Sequence, residues 1–226
     1  YFDLLIVDEV DAFPFKGDEV LNSFFERAIK GKYILLSATP HDDLINKFKG
    51  DGFEILHLHS RFHGHPLPVP KTIVSNRFIL FGRLISFLID FTKDGKQVFI
   101  FTPTIGMCET YFKLVTPFIK HGSFVHSKCG DREKRIQDFK DKKYMYLFTT
   151  AVLERGVTVK DLQVIVCNAD HSIYDKHALI QIAGRVGRKK DAPEGEVIFL
   201  AKKLTRAIQD TISDIEKSNE SLQSLS

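Results

Sequence analysis

Short apolar runs alternate along the chain with stretches of helical amphipathic spacing. Leu4-Leu5-Ile6-Val7 is unbroken by polar residues and ends in Asp8-Glu9. Such a run predicts a strand buried on both faces, as in a parallel sheet. From Asp18 to Lys30 the apolar residues Val20, Leu21, Phe24, Phe25 and Ala28 fall on one helical face, with Gly31 as the stop. Tyr33 to Leu36 predicts a second strand, 42–49 a short helix, and Phe53 to Leu58 a third strand. Three prolines between Gly64 and Pro70 predict an extended, semi-rigid linker.

Beyond that linker the alternation resumes. The pattern predicts helices over Arg77–Phe91, Gly106–Phe118, Asp131–Lys140, Lys176–Val186 and Leu204–Lys217. It predicts strands over Gln97–Phe101, Phe124–Val125, Tyr146–Thr149, Gln163–Cys167 and Glu196–Leu200. The Ser/Asn/Glu-rich tail after Lys217 is expected to fray. Strands alternating with helices make the fold class α/β, with parallel sheets covered by helices on both faces. The expected organisation is one unit over 1–63, a linker over 64–70 and a second unit over 71–226.

Composition narrows the class. Of the 226 residues, 43% are hydrophobic and 27% charged, as in a globular domain with a sizeable core. No stretch reaches the roughly 20 apolar residues of a membrane span, and no signal peptide is visible. Cys108, Cys129 and Cys167 are odd in number and far apart, which excludes a disulfide framework and favours a reducing, cytoplasmic setting. Residues 1–70 carry 7 Lys+Arg and 11 Asp+Glu, a net of −4. Residues 71–226 carry 25 and 18, a net of +7, so the second unit is the one to meet an anionic partner.

Several clusters carry candidate chemistry. Asp8-Glu9-Val10-Asp11 follows the first strand, at the carboxyl end where open α/β sheets bind ligands. Asp8 there suits Mg²⁺, and Glu9 suits a water to be activated. The plain alternative is an acidic loop. Ser37-Ala38-Thr39 ends the next strand, within reach of that loop. Gln181-Ile182-Ala183-Gly184-Arg185-Val186-Gly187-Arg188 carries Arg185 and Arg188 three apart, on one helical face. They suit phosphoryl charge, or else merely complement a helix dipole.

These motifs, in this order and joined by Thr-x-x-x-x-Arg-Gly at Thr150 to Gly156, resemble motifs II, III, V and VI of the superfamily 2 helicases. The resemblance covers residues 3–200. Within the superfamily, Asp-Glu-Val-Asp-Ala-Phe-Pro-Phe at 8–15 is most similar to the competence DNA-uptake ATPases, with replication-restart helicases next. It implies two RecA-like domains, ATP and Mg²⁺ as cofactors, and translocation along single-stranded DNA. Asp8 would serve the metal, and Glu9, Arg185 and Arg188 catalysis. Gln181 and Gly156 would serve the nucleotide, Gly156 also lying beside the nucleic-acid backbone. Asp11, Ser37, Thr39 and Arg155 would couple nucleotide state to movement. A homo-oligomer and a membrane-associated uptake machinery are compatible partners.

Thr158 departs from the family pattern, standing where many relatives carry Asp. No Gly-x-x-x-x-Gly-Lys-Ser/Thr loop occurs in the 226 residues. In the family it precedes Asp8. With Tyr1 opening directly into an apolar strand, the chain reads as a fragment, and alone it is expected not to hydrolyse ATP.

Hydroxyls at successive strand ends supply candidate nucleic-acid contacts. These are Thr102, Thr104 and Gly106, then Ser127, then Thr149 and Thr150. Thr104 suits helix N-capping equally well. The basic run Lys128, Arg132, Lys134, Arg135, Lys140, Lys142 and Lys143 is diluted by four acids and reads as a solvated helix face. His57, His59, His63 and His65 read as surface histidines rather than a metal site. Two rivals stay open: an RNA helicase or other superfamily 2 translocase, and a non-catalytic nucleic-acid-binding module.

Overall fold

The computed structural model describes residues 2–8, 23, 27, 29–37, 54–56, 65–150 and 159–223. The chain divides into two compact units, Tyr1–His57 and Leu58–Ser226.

In the first unit, β1 (Phe2–Val7) and β2 (Ile29–Leu35) pair in parallel, Leu4 opposite Lys32 and Val7 opposite Leu35. Leu36 N–H extends the ladder to the Val7 carbonyl at 2.8 Å. Ser23 and Arg27 are helical, but Ile29 and Lys30 already belong to β2, so the expected helix does not run to Lys30. Gly31 lies inside the strand instead of stopping a helix. A Cβ there would collide with the Asp3 carbonyl oxygen, so the close approach of the two backbones requires glycine. Burial on both faces is also corrected: Val7 is buried, whereas Leu4 and Ile6 are exposed. Residues 54–56 adopt no strand. The 42–49 segment lies outside the described residues.

The second unit holds a six-stranded sheet in the order β3-β8-β7-β4-β6-β5, every pair parallel. Its strands are β3 (Lys71–Val74), β4 (Gln97–Thr102), β5 (Gly122–Val125), β6 (Tyr146–Thr150), β7 (Leu162–Cys167) and β8 (Val197–Ala201). Its helices are α1 (Arg77–Lys93), α2 (Ile105–Val115), α3 (Arg132–Lys140), α4 (Lys176–Ala183) and α5 (Arg206–Gln223).

Alternation along each strand sends neighbours to opposite faces, and each face has its own core. Val98, Ile100, Tyr146, Phe148, Ile165 and Leu200 pack with Leu84 and Leu88 of α1 and Cys108 and Val115 of α2. Phe99, Phe101, Val164, Val166 and Phe199 pack with Phe139 of α3, Leu179 of α4 and Ile208 and Ile215 of α5. Phe99 stacks on Phe139 at 4.9 Å. Both faces are thus dry, which is why β4, β6, β7 and β8 are apolar almost throughout. The superfamily's α/β, RecA-like architecture follows.

Several details differ from the sequence pattern, among them α2, which ends at Val115 and not Phe118. β3 was not expected; it pairs along β8 from Lys71–Ile198 to Val74–Ala201. α4 stops at Ala183, three residues early. α5 runs on to Gln223 instead of fraying, and Asn219 grips the proline segment from it. The Asn219 Oδ1 accepts from Leu67 N–H at 2.8 Å, and its Nδ2 donates to the Leu67 carbonyl at 2.8 Å.

Candidate functional site

In the first unit, Asp8 is exposed directly after β1, and Ser37 is half-buried just beyond β2. Since Val7 lies opposite Leu35, parallel pairing brings Asp8 and Ser37 to neighbouring strand ends. Glu9, Asp11 and Thr39 lie outside the described residues.

In the second unit, strand register builds a level rim at the carboxyl edge. Thr102 of β4 lies opposite Thr150 of β6, and Val125 of β5 opposite Thr149. The residue after Val125, His126, therefore stands level with Thr150 and Thr102. Thr104, Ser127 and Lys128 come just beyond that line. The sequence-derived candidates Thr102, Thr104, Gly106, Ser127, Thr149 and Thr150 thus gather at or just beyond the carboxyl ends of β5, β6 and β4, three strands that follow one another in the sheet.

Their hydroxyls are not equivalent. Thr102 is fully buried, and its Oγ1 donates to the Thr149 carbonyl at 3.1 Å. It ties two strands together. Thr149 is buried as well, and Thr150 nearly so. Thr104 caps α2, its Oγ1 accepting from Met107 N–H at 3.2 Å. A Cβ added at Gly106 would meet open space, so the first turn of α2 is accessible there. Ser127 and Lys128 are exposed. The surface-facing groups of the rim are therefore Thr104, Gly106, Ser127 and Lys128.

Next along the rim, Asn168 follows β7 with φ 53°, a left-handed conformation that asparagine tolerates. Its Oδ1 accepts from the Tyr111 hydroxyl at 2.9 Å. Burial pushes the Tyr111 phenol up to about 12, so it stays a neutral donor.

Arg185 and Arg188 do not sit on a helix, as the spacing implied. Gly184 ends α4. The chain then tightens, Arg185 N–H bonding the Ile182 carbonyl at 3.1 Å and Val186 N–H that of Ala183 at 3.2 Å. Gly187 follows with φ 68°. That left-handed residue reverses the chain, and two glycines in four residues are what shorten the helix. Arg188 reaches back, its Nε donating to the Gly184 carbonyl at 3.1 Å. Arg185 is 7% exposed. Gln181 is half-buried on α4. Gly156 and Arg155 lie outside the described residues, as does Thr158.

The basic run proves mixed. Arg135 bonds Asp131 at 2.9 Å and Lys143 bonds Asp138 at 2.7 Å. The Arg135 guanidinium holds the exposed Asp131 carboxyl below its ordinary range. Among the described residues no group of His, Cys, Asp and Glu is placed to hold a metal, and no helix is long and apolar enough to cross a membrane. His57, His59 and His63 lie outside those residues.

Sequence reasoning passed over His126 and Glu109. The imidazole is buried, with Nε2 at 3.1 Å from Glu109 Oε1. The available signal was a histidine directly after a β-branched strand end, next to Ser-Lys.

Residues 80–190 match the helicase conserved C-terminal domain. The chain is 37% identical over 230 residues to competence protein ComFA of Streptococcus pneumoniae, covering 96% of this chain and 53% of that protein. It is 33% identical over 227 residues to ComFA of Bacillus subtilis, covering 96% and 49%. The chain thus spans about half the length of these curated relatives. In fold it is similar to S. cerevisiae Dbp5 bound to RNA and ADP BeF3, with TM-score 0.69 at 19% identity, over 96% of this chain and 57% of that one. A helicase C-terminal domain on an all-parallel sheet, within a chain similar to ComFA along nearly its whole length, makes this protein a member of the superfamily 2 helicases.

Proposed function

We propose that the chain is part of an ATP-dependent motor that moves along single-stranded DNA, serving DNA uptake in competence. The rim carries this reading. Thr104, Gly106, Ser127 and Lys128 offer a hydroxyl-capped helix start, a second hydroxyl and an ammonium, beyond the carboxyl ends of β4 and β5 on either side of β6. Such groups suit phosphates and read no base edge. A grip of that kind is independent of sequence, which a translocase needs. The likeness to ComFA from two organisms supports competence as the setting.

Each unit carries donors of a kind that suits a magnesium nucleotide. An exposed strand-end carboxylate at Asp8 suits a hard cation, and guanidinium forks at Arg185 and Arg188 suit phosphate oxygens. Bound ATP would supply the free energy of hydrolysis. Glu9 would orient water, Gln181 and Gly156 would contact the nucleotide, and Asp11, Ser37, Thr39 and Arg155 would couple its state to movement. Thr102, Thr149 and Thr150 would support the rim from within. The chain by itself lacks a phosphate-cradling loop and is expected to be inactive as an ATPase.

Arg188→Lys in the full-length protein tests the nucleotide role. Lysine keeps the charge but loses the planar fork and the Nε bond to Gly184. The bond is worth about 0.5–1.5 kcal/mol of stability, whereas a finger role is worth about 10³–10⁵ in rate. ATP turnover stimulated by single-stranded DNA should fall at least about 100-fold, with a small drop in Tm. Normal turnover would make Arg188 structural. Stimulation by RNA and not by DNA would move the substrate to RNA.

A further inference from the structure

We infer that His126 is a positioning residue for the rim, clamping the Ser127–Lys128 turn to α2; this rests on the nucleic-acid reading above. His126 stands at the end of β5 and is only 5% exposed. A buried imidazole is costly unless its nitrogens are used. Both are. Lys128 N–H lies 3.3 Å from Nδ1, and an amide can only donate, so Nδ1 is the acceptor. The ring proton is then on Nε2, directed at Glu109 Oε1 at 3.1 Å. Cys129 N–H closes the turn on the His126 carbonyl at 3.0 Å.

The ring is also held in its plane. It stacks on Phe124 at 5.5 Å and 25°. The Arg135 guanidinium lies 4.6 Å from the Phe124 centroid, while its Nη1 donates to the Phe124 carbonyl at 2.9 Å. Imidazole orientation is thus fixed from α2, from β5 and, through Phe124, from α3.

The consequence falls on two neighbouring phosphate candidates. Glu109 belongs to α2, whose first turn carries Thr104 and Gly106. Ser127 and Lys128 belong to the turn that His126 closes. The His126–Glu109 bond therefore sets the separation of those two groups. Because the inward backbone bonds of the turn are made by His126 itself, the Ser127 and Lys128 side chains are left at the surface. An ordinary core histidine would contribute stability alone. This one joins the two surface-facing parts of the rim.

The test uses the 226-residue chain, a fluorescent oligo-dT probe, and affinity measured across a salt series, with circular dichroism on every variant. Lys128→Ala should lower the salt slope by about 0.7, the single-strand value for one phosphate contact. His126→Ala should lower it by a similar amount and weaken binding about 3–10-fold, the worth of a net hydrogen bond. His126→Asn places Oδ1 where Nδ1 was and keeps the bond from Lys128 N–H, but it lacks the Nε2 that meets Glu109, so it should recover only part of the slope and bind like Glu109→Ala. Glu109→Ala, at a partly exposed site with little bearing on folding, should weaken binding by about 3-fold. Partial recovery by asparagine, to the level of Glu109→Ala, supports positioning, and full recovery beside a weakened Glu109→Ala overturns the clamp. A folded His126→Ala with unchanged affinity and slope, beside a weakened Lys128→Ala, overturns positioning and leaves the rim standing. An unchanged Lys128→Ala overturns the rim and this inference with it. If His126→Ala does not fold, unchanged binding by Glu109→Ala overturns the clamp.

Discussion

The two sheets are written in the same sequence idiom but are covered differently. Leu-Leu-Ile-Val of β1 and Val-Phe-Ile-Phe of β4 are equally apolar. In β4 every residue is buried, between α1 and α2 on one face and α3, α4 and α5 on the other. In the β1–β2 pair, Leu4 (51% exposed), Ile6 (56%), Ile34 (46%) and Leu36 (45%) form an apolar stripe open to solvent. Leu5 and Leu35, pointing the other way, are half-buried. An apolar run therefore specifies a strand and its direction in a parallel sheet. It does not specify how many layers will cover it. The cohesion of the described molecule lies in the six-stranded unit.

Three substitutions would break or sharpen that contrast. The largest effect is expected at Phe99, fully buried and stacked on Phe139. Phe99→Ala should cost about 3–5 kcal/mol in urea unfolding. Alkylation of the buried Cys108 and Cys167 should accelerate in parallel. Burial pushes both thiols up, Cys108 to about 12, so they react only after opening. A cost under about 1 kcal/mol would mean that the double core is not the source of stability. Asn219→Ala comes next, at about 1–3 kcal/mol, because it removes both bonds to Leu67 and strands that backbone's polar groups. No change in hydrogen exchange at Leu67 would show that the pair is not made in solution. Ile6→Thr should be smallest, within about 0.5 kcal/mol, since it keeps the β-branched shape on an exposed face. A cost near that of Phe99→Ala would show that a covering layer reaches the stripe.

Much of the second unit was legible because its strands are apolar on both faces and its helices carry Leu80, Leu84 and Leu88 at helical spacing. β3 was not legible. Lys-Thr-Ile-Val is too short to show a period, and it follows three prolines. It is a strand because β8 offers it an edge. The α5 extension was hidden for a similar reason: Asn219 looks like a breaker until Leu67 is seen across the chain. Strand-end positions of the candidate site were readable, but hydroxyl direction was not. Thr102 and Thr104 read alike in sequence, yet one bonds a neighbouring strand and the other caps a helix. The arginine pair was misplaced because spacing alone continues a helix that Gly184 and Gly187 end.

The pairing of β3 with β8 also has a consequence for how the molecule is made. Lys71 lies opposite Ile198, so β3 waits through most of the unit's synthesis for β8, its one sheet partner among the described residues. During translation β4, β5, β6 and β7 can assemble, but β7 remains an open edge and β3 an unpaired segment until residues 197–201 leave the ribosome. Long-range parallel closure of this kind is slow and exposes edges that invite misassembly. A nascent chain arrested before Val197 should therefore be held by chaperones, and one released after Gln223, with β8 paired and α5 over the sheet, should not.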